Sequence, residues 1–269
     1  MLMNTFRKHI KLIPDYVSLA VKRESEYKAG FYTFIFNQAI GAGVWLLFWK
    51  ILIGKVGAVG HFDFPHMVML TGFATINMGM WFMFSFIWRL PREVITGQLN
   101  CYLIKPVHPF IHMIMRRLNL RAIPRVGIGL TIVILSLIHF EEISYSPGAI
   151  IIAALISLFS FLTTFLPFAM VCMSVFWIGR AEFLRDLFIE FFLFQNYPLS
   201  EFPGSFIVFF SAIIPLIFAS TVPVLVLTKF TQTQALGLLA AQLVIITVQI
   251  FLFRLLWNKG LKRYESYGG

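Results

Sequence analysis

The chain has 269 residues, of which 59% are apolar and only 13% carry a charge, and its mean hydropathy is +0.82. Soluble domains carry about 25% charged residues, so this composition excludes an ordinary aqueous globule and favours a bilayer as the solvent. The net charge of +10 does not indicate nucleic-acid binding, because the basic residues stand in short runs between apolar segments. Two isolated cysteines predict neither a disulfide framework nor a zinc site.

The first 28 residues are rich in charge, and their apolar residues recur at helical spacing with Lys and Arg between them. This pattern predicts an amphipathic helix lying in the membrane interface, with a solvated cytoplasmic helix as the alternative. No cleavable signal sequence is visible in this segment. We therefore expect one transmembrane domain over 1–269, made of an interfacial helix (1–28), a six-helix bundle (29–257) and a cytoplasmic tail (258–269).

Six segments are apolar enough and long enough to cross the hydrocarbon core, which takes about 20 residues in a helix. They are 29–49, 64–88, 124–140, 148–178, 205–227 and 235–253. The fold class predicted from them is all-α, a polytopic membrane protein with six transmembrane helices.

The basic residues predict which side each loop faces. All Lys and Arg except Lys50, Lys55 and Lys229 fall in the N-terminal segment, after the second and fourth spans, or at the C-terminal end. The positive-inside rule places these regions, and with them both termini, in the cytoplasm. Glu141 and Glu142, after the third span, are then expected on the outer side.

Polar residues and prolines within the predicted spans are few. No Asp, Glu or Arg lies deep within one, and this argues against an ion-coupled carrier. Gln242 and Gln249, seven residues apart on the last span, either hydrogen-bond between helices or line a substrate path. Pro215 and Pro223 interrupt the fifth span, either as a hinge or path element or as a kink in a packed helix.

The motifs of known enzyme classes are missing from the sequence. It contains no nucleophile elbow, no H-E-x-x-H, no paired C-x-x-C and no nucleotide-binding G-x-x-x-x-G-K-[ST]. We therefore expect a chain without catalysis and without a cofactor of its own. If ATP is used, another polypeptide is expected to bind it.

The passage 91–109 reads PREVITGQLNCYLIKPVHP and is expected on the cytoplasmic side. Pro91 stops the preceding helix, Gly97 permits a tight turn, and the prolines at 106 and 109 impose extended backbone before them. The pattern predicts a short rigid element flanked by breaks. A second cytoplasmic segment, 180–203, is predicted as a further contact for a soluble partner or as a membrane-surface helix.

Three stretches resemble a known family: ITGQLNCYLIKPVHP, NYPLSEFPGSF leading into IIPLIFASTVPVLVL, and the ending WNKGLKRYESYGG. In this order they are similar to motifs of the permease subunits of type-two ATP-binding-cassette (ABC) exporters. The resemblance implies a bacterial inner-membrane permease that pairs with an identical or related permease above two ABC ATPase subunits, which hold ATP and Mg²⁺. It also implies that 91–109 couples the permease to the ATPase, against the alternative of a merely compact loop, through Pro91, Glu93, Gly97, Leu99, Leu103, Lys105 and Pro106.

The 31 Phe residues and the few polar groups in the spans fit a lipophilic or amphiphilic substrate, including a cation held by aromatic faces. Lipids, peptides and drugs all stay open. The function expected is thus the transmembrane subunit of an ATP-driven exporter. The alternatives are a secondary carrier or channel and a membrane scaffold protein.

Overall fold

The computed structural model describes residues 2–26, 28–140 and 146–264, with side chains from residue 12 onward except at 13, 26 and 28. Glu141 and Glu142 lie outside the described residues. Within this part of the chain the structure is all-α, as predicted, and contains no β-strand. The α-helices are α1 (Leu2–Glu26), α2 (Lys28–Val56), α3 (Phe64–Met83), α4 (Leu90–Ile95), α5 (Asn100–Leu103), α6 (Pro109–Arg116), α7 (Ile123–His139), α8 (Pro147–Met173), α9 (Val175–Ile178), α10 (Glu182–Phe191), α11 (Gly204–Val208), α12 (Thr221–Thr228) and α13 (Gln232–Arg263).

Several helices are long and apolar enough to cross a membrane. Among the described residues four continuous segments qualify: Ala29–Val56, Leu120–His139, Pro147–Ile178 and Gln232–Arg263. The bent pair Phe64–Met83 and Ser85–Ile95 adds a fifth. The protein is therefore a multi-pass helical membrane protein, while the count of six crossings and the sidedness stay predictions. Below, "outer end" denotes the end that carries the loop 57–63 and the starts of α8 and α13.

Helices α3 and α7 pack closely through glycines. A Cβ built on Gly129 would lie 2.7 Å from the Gly72 carbonyl oxygen and 2.8 Å from the backbone nitrogen of Ile76. A Cβ on Gly79 would lie 2.8 Å from the backbone nitrogen of Val126. Because these neighbours are backbone atoms, only glycine allows this approach, and small residues are what membrane helices use to pack backbone against backbone.

Helices α8 and α13 run parallel, joined by the two glutamines of the last span. The Gln242 side chain donates to the Ile156 carbonyl at 3.0 Å, and Gln249 donates to the Thr163 carbonyl at 3.2 Å. Both glutamines are buried, and both pairs have the same sequence offset, so the helices keep one register over two turns. This geometry favours a helix–helix bond over a path-lining role for both residues.

The segment 182–201 runs from the inner to the outer end of the bundle, packing on α8 through α10 and then on α3 through Phe192. This was not predicted: the same segment was expected to stay on the cytoplasmic side. Its contacts follow one another from the inner to the outer end: Arg185 with the Trp88 carbonyl, Phe188 with Phe168, Phe192 with Trp81, Tyr197 with Trp49, and Glu201 with Gly60. Hydropathy alone did not predict this segment as a membrane crossing, because the acidic residues Glu182, Asp186 and Glu190 lie between its apolar residues.

The predicted fifth span, 205–227, is not a continuous helix. It consists of α11, a π-turn (Phe209–Ile213), a break, a 3-10 turn (Leu216–Phe218) and α12. The segment begins just after Glu201, which contacts Gly60 in the outer loop. It ends just before Gln232, the first residue of α13, which contacts Gly148 at the start of α8. Both ends therefore lie at the outer end, and we call this segment, 204–228, the outer hairpin.

The two prolines of the outer hairpin occupy different positions. Pro215 lies in the break, between the π-turn and the 3-10 turn, where no helical hydrogen bond is required of it. Pro223 is the third residue of α12, within the first turn, where a backbone N–H has no partner in the helix. Pro223 therefore does not kink a helix, whereas Pro215 marks the point where the chain reverses.

Candidate functional site

The element predicted over 91–109 begins at a bend of α3. Beyond Met83 the chain forms a 3-10 turn (Ser85–Arg89) and then α4, at an angle of 58° to α3. Pro91 was expected to stop the preceding helix, and this was wrong: α3 already ends at Met83, and Pro91 lies in the first turn of α4, where its missing N–H costs nothing. The Arg185 guanidinium donates to the Trp88 carbonyl at 3.1 Å. The bend is therefore a fixed corner of the fold.

Gly97 makes the turn that ends α4 and leads into α5. Its φ of +72° lies in the left-handed region, which L-residues with a side chain rarely adopt. Its N–H donates to the Val94 carbonyl at 3.3 Å, and the N–H of Leu99 donates to the Glu93 carbonyl at 3.0 Å. These two bonds satisfy carbonyls that the end of a helix would otherwise leave free. The prediction of a tight turn at Gly97 is thus confirmed.

The seven predicted coupling residues separate into a base and a tip. Pro91, Glu93 and Leu99 are buried, Leu103 packs half-buried against the core, and Gly97 is partly covered. Lys105 and Pro106 are exposed. We define the tip as the exposed residues of this element between the two breaks: Gln98, Cys101, Ile104, Lys105 and Pro106.

Sequence reasoning missed Ile104, which is the most exposed large apolar residue of the chain's described part at 77%. Ile95, on α4, is also apolar and exposed, at 42%. An isoleucine in a loop that faces water is the signal that could have identified these positions, since apolar groups on an aqueous face mark contact surfaces. The tip therefore offers apolar area together with the charge of Lys105.

The base of the element is tied to α1 on one side and to α13 on the other. The Tyr16 hydroxyl lies 2.6 Å from His112 Nδ1, and Glu24 of α1 forms an ion pair with Arg121. On the opposite side the Phe110 ring packs 4.6 Å from Phe253 of α13. These contacts hold α6, directly after the tip, between two long helices.

Two phenols beneath the tip are held neutral. Burial raises the pKa of Tyr102, and the nearby Glu93 carboxylate raises it further. Burial likewise raises the pKa of Tyr16, whose hydroxyl shares a hydrogen bond with His112. Both phenols are therefore uncharged at neutral pH.

A groove of about 650 Å³ opens beside α4 at the inner end of the bundle. It is bounded by α4, α9 and the end of α13, and two basic side chains, Arg180 and Arg263, line it. Gly260 lets α13 come close to α9 here, because a Cβ at that position would lie 2.4 Å from Phe176 Cδ2. No group of three side chains that could hold a metal ion occurs among the described residues.

The geometry thus defines a multi-pass helical membrane protein with a short, exposed element that continues one of its crossing helices. The sequence pattern of the ABC-2 family transporter proteins matches residues 39–268, and the chain belongs to that family. It is accordingly the transmembrane, permease-type subunit of an ABC transporter. No curated protein matches the chain significantly. The matched range contains the first two stretches that carried the resemblance and all of the third except its last residue, Gly269, and the predicted family is confirmed.

Proposed function

We propose that the chain forms half of the translocation pathway of an ATP-driven exporter in a bacterial cytoplasmic (inner) membrane. A second permease, identical or related, completes the pathway, and two ABC ATPase subunits dock on the inner side and hold ATP and Mg²⁺. The chain itself carries no catalysis. This proposal goes beyond family membership, which supports an ABC transporter subunit without fixing direction, partners or stoichiometry.

One observation carries the proposal: the exposed tip stands on a buried base that continues α3. A displacement of the tip is passed to α4 by the Leu99–Glu93 bond and then across the fixed bend to α3. From α3 it reaches α7, because glycine packing leaves no slack between the two helices. ATP-driven closure of the ATPases could therefore move spans through this element.

The substrate we propose is lipophilic or amphiphilic. Aromatic rings line 191–210, where α10 meets the outer hairpin: Phe191 lies 5.5 Å from Phe209, and Phe194 lies 5.1 Å from Phe210. Such rings offer contact area to apolar compounds and their faces to cations.

A secondary carrier or channel is the main alternative, and the position of α10 is relevant to it. The inner half of the segment 182–201 is α10, and it carries the acidic residues Glu182, Asp186 and Glu190. The energy source separates the two classes. Transport that needs ATP hydrolysis and persists without an ion gradient supports the exporter, whereas the reverse supports the carrier.

The experiment that tests the proposal removes the tip's contacts. Ile104→Asp with Lys105→Glu is expected to reduce the ATPase that copurifies with the chain by about tenfold or more, since apolar and charged anchors dominate interfaces. The control is Lys229→Glu, which repeats the lysine-to-glutamate change at the exposed outer end and should leave copurification unchanged. If the tip variant copurifies with as much ATPase as the wild-type chain, the proposed coupling surface is wrong. A scaffold function would then be the better explanation.

A further inference from the structure

The groove beside α4 combines cationic, aromatic and apolar walls in one place. Arg180 and Arg263 supply two guanidinium groups, and neither forms an ion pair or a hydrogen bond with any residue that the structure describes. Val94, Val175 and Trp177 supply the apolar and aromatic walls. Among the residues that the structure describes, no acidic side chain lines the groove, so none of these residues compensates its charge.

A third polar group borders the groove without a partner. The Tyr264 hydroxyl is shielded from solvent and has no hydrogen-bond partner among the described residues. A buried hydroxyl left unpaired costs free energy, so a ligand atom that accepts its hydrogen bond would stabilise the site. A phenol next to two guanidiniums is a donor set suited to an anionic oxygen, such as that of a phosphate.

The position of the groove indicates how deep in the bilayer these two guanidiniums and the phenol lie. Two candidate spans, Pro147–Ile178 and Gln232–Arg263, end at its rim. Each has 32 residues, which is about 48 Å of helix. A bilayer with its headgroups is about 40–45 Å thick, so helices that start together at the outer end reach the opposite headgroup layer where the groove opens. Trp177 and Tyr264 are also the aromatic types enriched at this depth.

We propose that this groove binds an anionic phospholipid of the inner leaflet, with its phosphate between Arg180, Arg263 and the Tyr264 hydroxyl. The acyl chains then lie along the apolar wall, where the neighbouring Ile178 is exposed. Basic pockets between transmembrane helices on the cytoplasmic side are suited to such headgroups. Because α4 forms one wall, the bound lipid touches the element that carries the tip.

Lipid binding is independent of the proposed export function, and equilibrium binding needs no ATP. The test uses the delipidated full-length chain and measures binding of phosphatidylglycerol and of phosphatidylcholine with the same acyl chains by native mass spectrometry. The wild-type chain is expected to bind phosphatidylglycerol more tightly. Arg180→Gln with Arg263→Gln should weaken it by roughly thirtyfold, from the attraction of two basic groups, and leave phosphatidylcholine unchanged.

Three controls sharpen the test. Lys262→Gln removes a charge next to Arg263 from a residue that does not line the groove, and should have little effect. Arg180→Lys with Arg263→Lys keeps the charge, so it should retain most of the binding and shows that a folded variant is being measured. Glycerophosphoglycerol, the headgroup without chains, should compete poorly. If it competes as well as the lipid, a free phosphate ester is the ligand and the lipid proposal is wrong.

Two further outcomes would overturn the proposal. One is equal affinity of the wild-type chain for the two phospholipids. The other is complete displacement of phosphatidylglycerol by the ATPase subunit, with cross-links from the ATPase to position 180. That result would assign the groove to the protein partner.

Discussion

The inner element, 91–109, and the outer hairpin are both short, proline-interrupted segments, yet they are built in opposite ways. The inner element, 91–109, buries its base and presents an exposed tip. The outer hairpin, 204–228, turns its polar groups inward: the Ser220 hydroxyl donates to the Gln195 carbonyl, and the N–H of Leu199 donates to the Thr221 hydroxyl. The first leaves side chains exposed, as the proposed contact with an ATPase requires, whereas the second uses its polar groups for contacts within the bundle.

This difference predicts that equal backbone strain has unequal consequences at the two ends. Gly97→Val should lower transport by about tenfold or more, because a β-branched residue at φ +72° costs about 1–2 kcal/mol and displaces the tip. Gly57→Val meets similar strain at φ +81° in the outer loop, with open space around it, and should leave transport nearly intact. Transport by reconstituted vesicles is the measurement. An equal loss in both variants would remove the distinction between the two ends.

A second prediction concerns the outer hairpin and stability. Thr221→Val removes the acceptor of the buried Leu199 N–H and should lower the free energy of unfolding by about 1–3 kcal/mol. Thr228→Val, on the same helix, loses only a bond to the Val224 carbonyl four residues earlier and should cost much less. Thermal unfolding in detergent compares the two. Similar costs would mean that the hairpin is not anchored through Thr221.

The smallest expected effect is at the two glutamines that join α8 and α13. Gln249→Leu should lower stability by about 0.6 kcal/mol, the average for hydrogen bonds between membrane helices. Thr247→Val, an exposed neighbour that bonds only within its own helix, is the control. The preference among transported compounds should stay unchanged in both variants. A changed preference in Gln249→Leu would instead place this residue on the substrate path.

The sequence allowed most of the inner half to be predicted. The turn at Gly97 and the family follow from local motifs, because turn chemistry is set by residues close in sequence. The role of Pro91 was predicted wrongly, because α3 ends at Met83 and Pro91 belongs to the first turn of α4. The division into base and tip could not be predicted in this way. It depends on the packing of Phe110 against the distant Phe253 and of Tyr102 against His112, and both contacts require α6 to be in its folded position.

The outer half was predicted poorly, for a physical reason. Hydropathy measures how apolar a segment is, but it does not show on which side of the membrane the two ends of the segment lie. The apolar outer hairpin was therefore predicted to be a transmembrane helix. The segment 182–201 was missed because its acidic residues lower its hydropathy, although its apolar side chains pack on α8 at Phe168 and on α3 at Trp81. Only long-range contacts such as Gly60 with Glu201 separate these two cases.

The side on which the tip lies is the central claim, and Cys101 tests it directly. Cys101 is exposed on the tip and Cys172 is buried, so a membrane-impermeant maleimide should react at one position of the native chain. A Cys101→Ser, Lys229→Cys variant provides the opposite marker. We expect Cys101 to be labelled in inside-out vesicles and protected in intact cells, with the reverse for position 229. Labelling of Cys101 from outside intact cells would contradict the account.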